Sequence, residues 1–296
     1  MAKVSILMNA YNSEIYLKEA IDSIYAQTYS DWEIIFIDNC STDRTKEIAK
    51  SYDARLKYYK TDYNIPLGEA RNWGLQYCNS EYLAFLDTDD IWLKDKLQIQ
   101  IDELEKNQEA KLCYGGVVTI DKEGKEIDKM LPVAKSGMVF AQQLIRYEVN
   151  MQSVVIRNDI DISFNSEMKF SPDFDLFLKI MSNYPTIVIS DYLVKYRKLQ
   201  DSLTSKLIDR WWIETKMTLD SIFREQPSLK DDHNKEYKFA YAKNNYYQAQ
   251  YLVSVGEIKD ARTILSKYKF LSLRYFILYS SLLFSLSFWK FIHRFK

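Results

Sequence analysis

A formal charge of −1, from 40 Lys and Arg against 41 Asp and Glu, gives this 296-residue chain no whole-molecule attraction to nucleic acid or membrane. Its 47% hydrophobic and 27% charged residues describe an ordinary globular protein with a sizeable core, one large domain plus an appendage or two small domains. The 44 aromatic residues (23 Tyr, 15 Phe, 6 Trp) come with no basic stripe, so nucleic-acid binding has little support.

Cys40, Cys78 and Cys113 show no metal-ligand spacing and cannot all pair within one chain, which suits free thiols in a reducing cytoplasm. The N-terminal MAKVSILMNAYN has too short an apolar part for a signal peptide, so folding is expected to begin in the cytosol.

Val4–Met8 reads as a buried strand that stops at the polar turn Asn9–Ser13. Apolar residues at Ile15, Leu17, Ala20, Ile21 and Ile24 then predict a helix, with Asn12 or Ser13 as its N-cap. Trp32–Ile37 is a second strand, and the polar run Asp38–Asp43 leads into a helix over Arg44–Tyr52. Strand, helix, strand, helix argues for βαβ units and a mostly parallel, Rossmann-like sheet flanked by helices. Asp38 at the second strand's end has two uses: accepting a hydrogen bond from uracil N3–H or a ribose hydroxyl, or capping a helix.

Leu56–Tyr59 is a short third strand. In Asn64–Leu75, Gly68 marks the entry to a helix, while Ala70 and Gly74 permit close packing. Arg71 would then occupy that helix's first turn, where a cation opposes the helix dipole unless it faces an anion such as a diphosphate.

The stretch Glu81–Trp92, EYLAFLDTDDIW, carries the most chemistry. Tyr82–Leu86 reads as a strand buried on both faces, so Asp87, Asp89 and Asp90 must lie past its C-terminal end. Open α/β sheets bind ligands there. Asp87 and Asp89 flank the small Thr88 and can turn toward one hard cation, Mg²⁺ or Mn²⁺, shared with a phosphate. A solvated acidic turn capping the next helix is the alternative.

Leu93–Gln108 is a charged amphipathic helix, most simply a surface one. Lys111–Thr119 and Lys125–Asp128 flank the turn sequence Asp121–Gly124 and predict a hairpin. Ser153–Ile156 is a further strand, and Pro172 suits the first turn of a helix that carries Asp173 and Asp175. From Asp209 onward the pattern is helical, with a weak helical-hairpin signal over Tyr237–Tyr268. Tyr275–Trp289 carries no charge and is followed by Lys290, His293, Arg294 and Lys296. That is short for a bilayer span and suits a helix of about 270–293 lying in the membrane surface, or packing on the protein.

Together VSILMNAYN (Val4–Asn12), IFIDNCSTDRT (Ile35–Thr45), GEARNWG (Gly68–Gly74) and YLAFLDTDDIWL (Tyr82–Leu93) resemble the bacterial family 2 glycosyltransferases, which have the GT-A fold. The resemblance covers roughly the first 100 residues. It implies that the Ala10–Tyr11–Asn12 loop and Asp38 hold the nucleotide base and that Arg71 and Thr88 lie near the nucleotide. Asp87 would contact ribose or a metal-bound water, and Asp89 would ligate the divalent ion. Asn9-Ala10-Tyr11 replaces the usual Pro-Thr-Tyr. Pro172-Asp173 resembles the family's Glu-Asp segment, with Asp173 as catalytic base and Asp175 a competitor for the role. Tyr196-Arg197 and Ser202-Leu203-Thr204 match the closing segment, but Leu199 stands where a histidine is expected. The third protein ligand is therefore open, and Arg197 or Lys198 is the substitute for phosphate contact.

The resemblance thus implies an inverting, metal-dependent transfer of sugar from a nucleotide-sugar, a UDP-sugar by preference, to a lipid-linked or oligosaccharide acceptor of a bacterial surface glycan. The expected layout is a catalytic domain over 1–205, with a nucleotide half (1–105) and an acceptor half (106–205), and a helical appendage over 206–296. The expected location is the cytoplasmic face of the cell membrane. A sugar nucleotidyltransferase would need a Gly-rich phosphate loop after the first strand, and Asn9–Asn12 has no glycine. A non-catalytic binding protein of the same fold is the other alternative.

Overall fold

A computed structural model of the chain describes residues 2–199, 210–284 and 289. The chain divides into two compact units, Met1–Phe140 with Glu148–Ser202, and Ala141–Tyr147 with Leu203–Lys296.

The first unit is an α/β layer structure. Its apolar runs form β1 (Val4–Ala10), β2 (Trp32–Asp38), β3 (Leu56–Lys60) and β4 (Tyr82–Phe85). All seven residues of β2 and all four of β4 are buried, as expected of strands covered on both faces. The short β5 (Ile91–Trp92), the long β6 (Leu112–Ile120), β7 (Glu126–Met130), β8 (Val155–Arg157) and β9 (Thr186–Arg197) complete one nine-stranded mixed sheet. Its order is β3-β2-β1-β4-β8-β6-β9-β5, with β7 paired to β6 as the expected hairpin. Strands β3, β2, β1 and β4 are parallel, and β8 joins β4 antiparallel.

From β1 the chain crosses to β2 on one side, whereas β4 lies on the other. The order reverses at β1 and β4, and the C-terminal ends of strands at such a switch point are where an open α/β sheet forms its ligand crevice.

Helix α1 (Leu17–Tyr25) buries Leu17, Ala20, Ile21 and Ile24 against the sheet. It starts later than its apolar spacing predicts, and Ile15 is 79% exposed, because Asn12–Glu14 are tied to the loop after β2 instead of opening the helix. Helix α2 (Thr45–Ala49) is shorter than expected. Helix α3 (Leu67–Leu75) fits close to the sheet because a side chain at Gly74 would meet Leu7 and Ile37. It begins at Leu67, so Arg71 lies beyond its first turn and the dipole argument for that residue lapses.

Helix α4 (Lys96–Lys106) is not simply a surface helix, since Lys96, Leu97, Gln100, Ile101 and Leu104 are buried. Strand β9 was not expected from the sequence, nor was helix α5 (Phe140–Ile145), which from Ala141 onward belongs to the second unit. Helix α6 (Pro172–Asn183) has Pro172 at its start, where a proline has no hydrogen bond to lose.

In the second unit, α7 (Trp211–Glu225), α8 (Ser228–Asp232), α9 (Asn234–Ser254), α10 (Ile258–Ser266) and α11 (Leu273–Phe284) follow one another. Helices α9 and α10 form the predicted hairpin around Gly256, with Tyr246, Ala249, Val253, Ala261 and Leu265 in its seam together with Leu278 and Leu282 of α11.

Candidate active site

Two loops and the end of β4 meet at the crevice. The loop after β1 is knitted to the loop after β2. Asn12 N–H donates to Ser41 Oγ at 3.0 Å, Ser13 N–H to Thr45 Oγ1 at 2.8 Å, and Thr42 N–H to Asn12 Oδ1 at 2.9 Å. Both loops carry a left-handed residue, Asn12 (φ 50°) and Cys40 (φ 67°), the two such non-glycine residues among those described. Such backbone persists only where its surroundings enforce it, as at binding sites. Ala10 is buried at the end of β1, where its carbonyl accepts from Asn39 N–H at 2.7 Å. Tyr11 is 55% exposed at the crevice edge. Thr88 joins the same edge by a 2.9 Å bond to Ser13 Oγ.

Asp38 is placed differently from its expected role at the base. It is completely buried, and its two carboxylate oxygens accept from Ser41 N–H at 2.8 Å and from the Tyr58 hydroxyl. The carboxylate holds the loop together and presents no oxygen to solvent. Asn39 is spent similarly, donating to the carbonyl of Ile65 at 2.7 Å and accepting from its N–H at 2.9 Å.

The acidic loop after β4 is arranged otherwise. Asp87 Oδ1 lies 3.3 Å from Arg71 Nη2, and the Arg71 guanidinium sits 5.4 Å from the Phe164 ring. Gln152 holds the other side of Asp87. Its Oε1 accepts from the Asp87 N–H at 2.7 Å, and its Nε2 donates to Asp87 Oδ2 at 2.5 Å. Burial and then the neighbouring Asp87 push the Asp89 carboxyl up to about 6. Burial, followed by Asp89 and Asp87, pushes Asp90 well above the usual carboxylate range, although its Oδ1 accepts from Arg197 N–H at 2.7 Å.

Asp173 is brought to the same place by a bridge between α3 and the chain before α6. Asn72 exchanges two 2.8 Å bonds with the Phe164 backbone, and a side chain at Gly68 would press on the Asn165 carbonyl at 3.3 Å. Burial raises the Asp173 carboxyl; Arg71 pulls it down, and Asp87 raises it further. Asp175, the competitor, is buried and bonded to Lys179 at 2.8 Å, one turn along the same helix. Tyr196 registers the convergence. Its phenol is pushed to about 12 by burial and by four carboxylates, Asp90, Asp89, Asp87 and Asp173.

Arg197 is not available for phosphate. It is buried, its guanidinium donates to Glu19 at 2.6 Å and to the carbonyls of Asp89, Asp121 and Lys122, and it stacks over Tyr16. It pins the acidic loop to α1 and the β6–β7 turn. Leu199 is described, whereas Ser202-Leu203-Thr204 and His293 lie outside the described residues.

Among the described residues, no group of three or more His, Cys, Asp or Glu forms a cage for a metal. The pair Asp87 and Asp89 fits an Mg²⁺ or Mn²⁺ that completes its shell with phosphate oxygens. Burial and then the neighbouring Asp87 raise Asp89, and a cation would offset both.

The sequence profile described as Glycosyl transferase family 2 matches residues 5–170. The chain belongs to this family. It is 31% identical over 215 residues, 71% of this chain and 83% of the relative, to the Escherichia coli UDP-Glc:α-D-GlcNAc-diphosphoundecaprenol β-1,3-glucosyltransferase WfgD. It is 27% identical, over 68% of this chain and 81% of the relative, to the putative teichuronic acid biosynthesis glycosyltransferase TuaG of Bacillus subtilis. Two solved structures share the fold. Residues 1–349 of S. aureus TarS in complex with UDP align with a TM-score of 0.60 at 17% identity, over 95% of this chain and 90% of that one. The Pyrobaculum calidifontis mannosyltransferase PcManGT, in complex with GDP-Man and Mn²⁺, aligns with a TM-score of 0.60 at 16% identity, over 98% and 86%.

The glycosyltransferase fold is GT-A, as expected, with relatives that serve polysaccharide synthesis. Of the residues singled out in the sequence, the crevice of this glycosyltransferase brings together Tyr11, Arg71, Asp87, Thr88, Asp89 and Asp173. Asp38 is enclosed by Ser41 and Tyr58 and holds the loop after β2. Gln152 escaped sequence reasoning, and only a register signals it. β8 pairs with β4 as Ala84↔Val155, and three further steps set Asp87 opposite Gln152.

Proposed function

We propose that this enzyme transfers one sugar, with inversion, from a UDP-sugar to a lipid-linked or oligosaccharide acceptor of a surface polysaccharide. What supports this reading is the 3.3 Å Arg71–Asp87 ion pair at the switch point of the sheet, with Asp173 close enough for its carboxyl to feel both charges. The UDP preference is supported by the E. coli relative, named for a UDP-Glc donor. It gains nothing from Asp38, whose carboxylate is enclosed.

In this mechanism the acceptor hydroxyl oxygen forms a bond to the anomeric carbon as the bond from that carbon to the diphosphate oxygen breaks. Asp173 takes the hydroxyl proton, and burial suits it to the task by raising its proton affinity. Arg71 faces the charge that develops on the departing diphosphate. Asp89, with Asp87 beside it, would hold a divalent cation, which supplies further positive charge there when bound.

The membrane belongs to the same proposal. No helix of the described residues is long and apolar enough to cross a bilayer. The entry to α11 exposes Phe270 (81%) and Leu273 (74%) next to Lys269 and Arg274, a composition suited to the surface of the inner leaflet where a lipid-linked acceptor is presented.

The test is calorimetric titration of UDP, GDP, dTDP and CMP with and without Mn²⁺, followed by turnover of Asp173→Asn. The expected result is Mn²⁺-dependent binding of UDP, with Asp173→Asn binding it nearly as well and losing roughly 10²–10⁴-fold in kcat. A wild type that binds none of the nucleotides overturns the reading and favours a non-catalytic protein. Unchanged turnover in the variant removes Asp173 from the base role.

A further inference from the structure

We propose that Gln152 is a positioning residue of the donor pocket, setting the orientation of Asp87, and through it the Asp87–Arg71 pair, for the nucleotide diphosphate. The inference rests on the donor reading above and adds a residue to it.

Arg71 alone does not fix Asp87. Its single 3.3 Å contact is longer than the 2.7–2.9 Å of a good charge-assisted bond, and a carboxylate turns easily about its last torsion. Gln152 closes that freedom with two bonds. One amide side chain accepts from the Asp87 backbone and donates to the Asp87 carboxylate, so that carboxylate and backbone are held in one ring.

The clamp is itself immobilised. Gln152 is 2% exposed and begins from a one-turn 3-10 helix, Met151–Ser153. Its N–H donates to Asn150 Oδ1 at 3.0 Å, and its carbonyl accepts from Trp92 Nε1 at 3.0 Å. All four of its polar atoms are therefore used, two on scaffold and two on Asp87. Gln152 lies just before β8 and Asp87 just after β4, and the antiparallel pairing of those two strands brings the segments side by side.

An amide is the group this position requires. It donates on one side and accepts on the other, and it carries no charge to cancel that of Asp87. A glutamate could still accept from the Asp87 N–H but would set a like charge against Oδ2. A methionine would fill the space and make neither bond.

The test uses the full chain with Gln152→Met and Gln152→Glu, measuring UDP affinity with Mn²⁺ by calorimetry, donor and acceptor KM, kcat and melting temperature. Both variants are expected to lose about 10- to 100-fold in UDP affinity or donor kcat/KM, with the acceptor KM unchanged. A loss of packing alone would not single out the donor. In a double-mutant cycle with Asp87→Asn, Gln152→Met should cost less than about twofold further, because it acts through the group already altered.

Variants whose UDP affinity and donor kcat/KM both stay within about twofold of wild type overturn the proposal. So do losses from the two substitutions that multiply independently. If Gln152→Met does not fold, Gln152→Glu, which keeps one of the two bonds, decides by the same donor-specific measure. A wild type that binds no nucleotide fails the donor reading and this inference together, whereas a binding wild type with indifferent variants fails this inference alone.

Discussion

Two acidic loops leave neighbouring strands on either side of β1, and the fold treats their carboxylates in opposite ways. After β2, Asp38 is sealed in with a donor on each oxygen, Ser41 N–H and Tyr58 Oη. After β4, burial raises the proton affinity of Asp89 and Asp90, and neighbouring carboxylates add to it, Asp87 for Asp89 and both Asp89 and Asp87 for Asp90. Both loops sit where an α/β sheet binds ligands. The residue type at that edge does not announce its role; its surroundings do. Asp38 is enclosed and builds its loop, whereas in the second loop Asp87 is braced by Arg71 and Gln152 beside the buried Asp89 and Asp90.

The largest test of this contrast is Asp89→Ala. It should lower kcat by roughly 10²–10³-fold or more, since a charge-stabilising group is lost from the reacting centre. Because the fold bears the cost of Asp89's charge, the variant should melt no lower than wild type at pH 7. Equal loss of activity and of stability would erase the distinction between the loops.

Asp38→Ala should do the reverse. The buried Ser41 N–H and the half-buried Tyr58 hydroxyl lose their acceptor, at about 1–3 kcal/mol for a buried group left unpaired and less for the other, so the melting temperature should fall. Tyr58→Phe should show part of the same loss, since it deletes one of the two bonds. Denaturant melts measure both. A destabilised Asp38→Ala whose folded fraction still binds UDP within about tenfold supports the structural role, and normal stability with lost UDP binding would return Asp38 to the base.

The sequence made the parallel half of the sheet legible because VSILM, WEIIFI and YLAFL are apolar runs ended by polar turns, a pattern set by burial on both faces. For the same reason it located the acidic loop at the crevice. Asp38 kept two readings in the sequence because a carboxylate at a strand end looks alike whether Tyr58, twenty residues later, donates to it or a nucleotide does. Gln152 was silent because its role depends on an antiparallel register that local periodicity does not encode. The α1 boundary failed where side chains of another loop, Ser41, Asp43 and Thr45, captured the backbone of residues 12–14.

The pattern of uncompensated charge extends past the acidic loop to Lys96, and this yields the smallest effect. Lys96 opens α4 fully buried, its Nζ 4.0 Å from the Trp92 ring centre and without a hydrogen-bond partner among the described residues. Burial lowers its pKa from 10.5 to about 7. Between those values the unfolded chain holds a proton that the folded chain does not, so stability from this group rises with pH from about 7 toward 10.5. Below 7 the fold bears the full cost of the charge, softened by the aromatic face beneath it. The slope approaches at most about 1.4 kcal/mol per pH unit. Lys96→Met should therefore raise the melting temperature most at pH 6–7, with the gain shrinking by pH 9. Thermal melts of both proteins across that range measure it, and parallel curves would mean that Lys96 is relieved by a partner and that uncompensated charge ends at Asp90.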